Sequence, residues 1–150
     1  MSKQELYAWT SFLSTVALLG YYVLVIVEPS GGVAGYAGEM KALFLKVIGI
    51  ALLVEIVLEL SRYVGARGVE KDERDHTIAA KGFRNAYFFV MVALVSLLGN
   101  LWVSDVLSRA AGERVFLAIP FATVHALLAI VLLAQIIRSA TQLYYYRRGG

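Results

Sequence analysis

The polar residues inside the long apolar stretches of this chain include Glu55, Glu59, Asn100 and His125. Glu55 and Glu59 are four residues apart, so a helix places both of them on one face. A carboxylate or an imidazole in apolar surroundings can carry a proton, bind a cationic ligand, or form a hydrogen bond or ion pair with a neighbouring helix. For Glu55 and His125 these alternatives stay open, and the structural one is favoured.

Other kinds of chemistry have little support in the sequence. The chain has no cysteine and two histidines, which excludes disulfides, thiol nucleophiles and thiolate-ligated metals. Asp72 and His76 lie one helical turn apart, but the charges around them can pair with one another, so we expect a solvated helix start and no metal site. The sequence has no phosphate-binding loop or cofactor motif. We therefore expect that the protein is not an enzyme and holds no cofactor.

The elements that must position these residues are four long apolar segments. Of the 150 residues, 59% are hydrophobic and 17% are charged, whereas a soluble domain has about a quarter charged. A helix of about 20 residues crosses a hydrocarbon core of roughly 30 Å. The sequence therefore predicts an all-α integral membrane protein, a single-domain four-helix transmembrane bundle. We predict spans over about 6–27, 42–60, 85–103 and 115–137, of which the second is the most polar.

Small and polar residues recur along one side of each predicted span. Examples are Thr10, Ser14 and Ala17 in the first span, and Ala93, Ser96 and Asn100 in the third. Such stripes allow helices to approach closely, so we expect them to face the inside of the bundle. Aromatic residues near the span ends, Tyr22 and Trp102 among them, are typical of anchors at the membrane interface.

The basic residues are unevenly divided between the two predicted sides of the membrane. With four spans, ten of the 14 Lys and Arg residues lie on the side that holds both termini and the central connection. This excess predicts a multi-pass cell-membrane protein with both termini in the cytoplasm.

The first outer connection, residues 28–41, contains Pro29 and four glycines, so we expect it to be irregular. The central connection, residues 61–84, is predicted to begin a helix that continues into the third span.

The central connection also carries a distinctive pattern formed by Asp72, Glu73, Arg74, Ile78 and Lys81. Followed by an apolar span that begins with aromatic residues, it resembles the D-E-R-x-x-x-I-x-x-K-A signature of small bacterial four-span membrane proteins of unknown function. Gly82 stands where that signature has alanine. The resemblance implies a location in the bacterial inner membrane. It also implies a link to signalling, because some of those proteins are encoded beside small DNA-binding regulators.

Two functional hypotheses follow from these features. The first is a regulatory or accessory subunit that binds a cytoplasmic or membrane protein partner through the residues of this pattern, because the distinctive sequence lies outside the lipid phase. The alternative is a small proton- or cation-coupled transporter that acts as a homo-oligomer, with Glu55 and His125 as its ionisable groups. The first is favoured. We expect no direct binding of nucleic acid, because the basic residues are few and lie close to the membrane.

Overall fold

The computed structural model describes residues 3–27, 32–65, 73–111 and 121–148. They form four α-helices, α1 (Lys3–Val27), α2 (Gly32–Gly65), α3 (Glu73–Ala111) and α4 (Ala122–Arg148). The described ranges contain no β-strand. The all-helical prediction is therefore confirmed.

Three of the helices, α1, α3 and α4, are long and apolar enough to cross a membrane. The remaining helix, α2, has sufficient length, but Lys46, Glu55 and Glu59 interrupt its apolar stretch. Along its most apolar stretch α3 buries no residue inside the molecule, and Phe88 and Trp102 are among its exposed side chains. An apolar surface of this extent is compatible with a lipid environment.

Contacts between helices bring four helix ends together. Three such contacts are those of Tyr7 with the backbone O of Ser61 (α1 and α2), Tyr146 with Asp75 (α4 and α3), and Arg147 with the ring of Trp9 (α4 and α1). Consecutive helices are therefore antiparallel. The start of α1, the end of α2, the start of α3 and the end of α4 lie at one end of the molecule, which we term the polar end.

The helices pack in the order α3, α4, α1, α2, so that α4 contacts both α3 and α1. Away from the polar end, α1, α2 and α4 enclose an apolar core that consists of Leu18, Tyr22, Met40, Leu43, Val47, Leu128 and Leu132. Where these side chains would be exposed to water in the unfolded chain, their burial is the main contribution to the stability of the fold. The buried residues of α3 are Ile78, Gly82 and Ala86, one turn apart on a single face.

Gly82 allows the close approach of α3 to α4. A Cβ atom at this position would lie 2.9 Å from the backbone O of Arg138 and 2.9 Å from Cγ of Gln142. The backbone oxygen cannot move away without a shift of α4. Alanine therefore does not fit between α3 and α4 here, although the signature that this segment resembles has alanine at the position of Gly82.

The predicted irregular connection over residues 28–41 is wrong for residues 32–41, because α2 begins at Gly32. A helix satisfies its own backbone hydrogen bonds. In an apolar environment this gain outweighs the destabilisation of about 1 kcal/mol that each glycine causes relative to alanine. The third helix begins at Glu73, inside the central connection, and continues through the predicted span 85–103. Residues 115–120 of the fourth predicted span lie outside the described residues.

We predict that Gly82→Ala pushes α3 away from α4 and destabilises the protein by roughly 1–3 kcal/mol, the usual cost of overpacking. Thermal unfolding of the purified protein in mild detergent measures this effect. Gly99→Ala is the matched control, because Gly99 lies on the same helix with open space around its Cβ position. Alanine there is expected to be neutral or mildly stabilising. Equal melting temperatures for the two variants would contradict the role of Gly82.

Candidate functional site

Five polar side chains from three helices meet where the apolar core ends, and we term them the polar cluster: Ser11, Glu55, Gln135, Arg138 and Ser139. Ser11 and Ser139 are each 2% exposed. The exposed fraction of the side chain is 16% for Arg138 and 38% for Glu55. The cluster therefore runs from a dry interior at the serines to a partly open carboxylate.

The Glu55 carboxylate is the central acceptor of the polar cluster. Its Oε1 atom accepts hydrogen bonds from Ser11 Oγ, at 3.1 Å, and from Nε2 of Gln135. Ser11 Oγ in turn accepts from Gln135 Nε2 at 2.8 Å and from Ser139 Oγ at 3.2 Å. These bonds join α1, α2 and α4 through groups that would otherwise be buried without partners, which is costly.

Arg138 supplies the positive charge opposite Glu55. Its Nη1 atom lies 3.7 Å from Glu55 Oε2 and 3.4 Å from Gln135 Oε1. On its other side, the guanidinium carbon lies 4.1 Å from the centroid of the Phe83 ring, a cation–π distance. Because Phe83 belongs to α3, all four helices contribute to the surroundings of this one ion pair.

The spacing along α1 and α4 explains why these residues meet. On α1 the buried residues follow steps of three and four: Ala8, Ser11, Thr15, Leu18 and Tyr22. On α4, Gln135, Ser139 and Gln142 follow the same steps. Such spacing defines a single helical face. Ser11 and Arg138 were not singled out by the sequence patterns, although the regular spacing on α1 is a signal for Ser11.

The inward-facing stripe predicted for the first span is wrong at Thr10, whereas the stripe predicted for the third span faces α4 across an open cavity. On α1, Thr10 and Ala17 are exposed, and the buried face is rotated by about one residue. On α3, Ala93, Ser96 and Asn100 line a cavity of about 520 Å³ between α3 and α4. Ser96 and Asn100 remain exposed there, and Ser96 Oγ donates to the backbone O of Val92 in its own helix. A serine can satisfy its hydroxyl in this way on any face, so small polar residues do not by themselves identify the packed side.

A cavity of about 480 Å³, which we term the polar cavity, opens at the polar end between α2 and α3. Among the described residues, the acidic, histidine and arginine side chains that line it are those of Glu55, Glu59, Asp75, His76 and Arg138. Three carboxylates against one arginine, with a neutral histidine, give these five residues a formal charge of −2. The polar cavity therefore favours a cationic group. Within the described ranges, no group of three His, Asp or Glu side chains is suited to hold a metal ion.

A second cavity, of about 490 Å³, lies between α1 and α2 against α4, and we term it the apolar cavity. Leu18, Ile50 and Val131 are among its lining residues, and its polar boundary includes Glu55 and Gln135. Glu55 therefore lines both cavities, with polar walls on one side and mostly apolar walls on the other.

His125 makes a separate polar contact in the apolar half of the molecule. Its Nδ1 atom lies 2.5 Å from the hydroxyl oxygen of Tyr22. Tyr22 is only 3% exposed, so the prediction that it anchors the chain at the interface is wrong. Ten residues of α4, about 15 Å of helix, separate His125 from Gln135. The structure therefore does not bring His125 and Glu55 together.

The residues of the predicted partner site differ in accessibility. Glu73 and Arg74 are exposed at the start of α3. Ile78 is 1% exposed and lies on the same buried face as Gly82. Lys81 Nζ lies 4.1 Å from the centroid of the Tyr145 ring. Asp72 lies outside the described residues.

Comparison with known proteins identifies no relative of this chain. No protein-family model, no curated protein and no solved structure matches it significantly.

We predict that Glu55→Gln destabilises the protein by roughly 1–2 kcal/mol, because glutamine keeps an acceptor for Ser11 and Gln135 but removes the negative charge that lies 3.7 Å from the part-buried Arg138. Denaturant unfolding in detergent, combined with Arg138→Gln and the double variant, isolates the ion-pair contribution. Glu59→Gln is the control, because it removes the same charge from an exposed position one turn along α2. A loss as large for Glu59→Gln, or additive effects in the cycle, would argue against the pair.

Proposed function

We propose that this chain is a four-span membrane protein with both termini in the cytoplasm, and that it is a regulatory or accessory subunit that binds a protein partner at the polar end. The observation that carries the proposal is the exposed start of α3, where Glu73 and Arg74 lie. This helix has 39 residues, about 58 Å, against a hydrocarbon core of roughly 30 Å. A large part of α3 therefore extends beyond the lipid.

In this proposal α2 crosses the membrane in addition to α1, α3 and α4. Its most problematic residue, Glu55, has donors from α1 and α4 and a cation from α4. Acidic residues inside membrane spans are tolerated when they face the protein interior and find such partners. Four antiparallel spans also put the side with more Lys and Arg residues at the polar end, which supports a cytoplasmic location for that end.

The surface at the start of α3 is held in place by contacts with the end of α4. Tyr146 Oη donates to Asp75 Oδ1 at 3.1 Å, and Lys81 lies over the ring of Tyr145. A surface that is ordered before binding loses less conformational entropy in a complex, and charges of both signs give specificity for one partner. These features suit docking of a protein with complementary charges.

The same geometry favours docking over proton or cation transport. Oε1 of Glu55 accepts two hydrogen bonds inside the chain, and His125 is bonded to Tyr22. Both ionisable groups proposed for transport are thus engaged in contacts between helices, which supports a structural role for each.

We predict that single-cysteine variants report four spans. The chain has no cysteine of its own, and His76 and Arg109 are exposed near opposite ends of α3. In intact cells a membrane-impermeant maleimide should label Arg109→Cys, and should label His76→Cys only after the membrane is permeabilised. If α2 does not cross the membrane and the amino terminus is cytoplasmic, the two labelling patterns are exchanged, which would overturn the proposed topology.

We predict that Glu73→Ala/Arg74→Ala lowers recovery of the partner by about tenfold, because both charges of the docking surface are lost. The measurement is crosslinking in cells that naturally contain the protein, followed by affinity purification and mass spectrometry. Asp105→Ala/Arg109→Ala is the matched control, because it removes an exposed ion pair of 2.8 Å near the opposite end of the same helix. Unchanged recovery with the first variant, or equal losses with both, would refute docking at this surface.

A further inference from the structure

Glu55 lines both the polar cavity and the apolar cavity. Each cavity, at about 480 and 490 Å³, falls in the range of about 300–1,000 Å³ that is typical of small-molecule sites. Their walls differ sharply in chemistry, since one is rich in carboxylates and the other is built mainly of aliphatic side chains. Two cavities of opposite character that share Glu55 as a lining residue fit the two halves of one amphipathic molecule.

We propose that the chain binds an amphipathic organic cation, with its ammonium group in the polar cavity and its alkyl chain in the apolar cavity. This site lies inside the bundle and is distinct from the docking surface formed by Glu73 and Arg74. The proposal does not depend on the partner or on its identity.

The arrangement of the carboxylates supports a positive head group. Glu55 is fixed through Oε1, whereas Oε2 lies 3.7 Å from Arg138, which is within ion-pair range but beyond hydrogen-bond distance. This oxygen therefore accepts no hydrogen bond from Arg138, and its negative charge can attract a cationic head group. Glu59 follows one turn later on the same face and lines the same cavity. An ammonium group beside Glu55 and Glu59 interacts with two carboxylates, while stacking on Phe83 keeps Arg138 at one wall.

The walls of the apolar cavity support an alkyl chain. Leu18 and Leu132 belong to the buried core, whereas Leu52 and Val131 are 59% and 62% exposed. The cavity is therefore closed toward the protein interior and open toward the outer surface of α2 and α4. In a bilayer an alkyl chain can enter from the lipid side while its head group stays near the polar end.

The test is binding of tritiated dodecyltrimethylammonium to the full chain in phosphatidylcholine nanodiscs, measured by scintillation proximity and corrected for empty nanodiscs. We expect saturable binding that Glu55→Gln and Val131→Trp each weaken at least tenfold. Val95→Trp is the matched control, because Val95 is 64% exposed on α3 and lines neither cavity. Glu59→Gln removes one charge at an exposed position, so several-fold weaker binding is expected even if Glu55→Gln fails to fold.

Competition with unlabelled compounds separates the two halves of the site. Tetramethylammonium, which has no alkyl chain, and dodecyl phosphate, which has an anionic head group, are both expected to compete at least tenfold less well than dodecyltrimethylammonium. Equal competition by dodecyl phosphate would show that the apolar cavity binds any alkyl chain and would overturn the proposal. Binding no greater than to empty nanodiscs, or binding unaffected by Val131→Trp, would overturn it as well.

Discussion

The fold depends on one constraint, which is that the Glu55 carboxylate must find partners inside a bundle of apolar helices. Even for a partly buried carboxylate, the loss of hydration must be offset by hydrogen bonds or an opposite charge. Ser11, Gln135 and Arg138 meet this requirement from α1 and α4. The directions of these bonds leave little freedom in how the three helices rotate and slide against one another. Apolar packing among Leu18, Val47 and Leu132 then fills the space that the polar contacts have defined.

The position of α3 follows from the same ion pair. Gly82 brings its backbone against the carbonyl of Arg138, and Phe83 stacks on the guanidinium of the same residue. The third helix therefore supports Arg138 from the side opposite Glu55. Because α3 packs mainly on α4 and not on α2, a gap remains between α2 and α3 at the polar end. The polar cavity thus exists because α3 packs on α4 beside Arg138 and leaves the space next to α2 open.

The sequence predicts the number and type of the helices well, because long apolar runs and their spacing depend only on neighbouring residues. It also identifies Glu55 as a residue in need of a partner. Such patterns do not identify that partner. In the sequence, nothing distinguishes Arg138 from the other basic residues near a predicted membrane edge, and only the packing of α2 against α4 brings it to Glu55. The rotation of α1 is a similar case, because Thr10 and Ser14 look as suitable for packing as Ser11 and Thr15. Only the longer spacing from Ala8 to Tyr22 separates the two faces.

The polar end is also the place where a ligand and a partner can affect each other. Asp75 lines the polar cavity and accepts a hydrogen bond from Tyr146, and it follows directly after the exposed Glu73 and Arg74 on the same helix. The bond between Asp75 and Tyr146 is one of the contacts that order the start of α3, and it lies in the wall of the cavity proposed to hold the cation. Under both proposals, occupancy of the cavity and docking at Glu73 and Arg74 would therefore act on neighbouring residues of α3. Any coupling between the two sites would be reciprocal, so that a bound partner and a bound cation would change each other's affinity by the same factor.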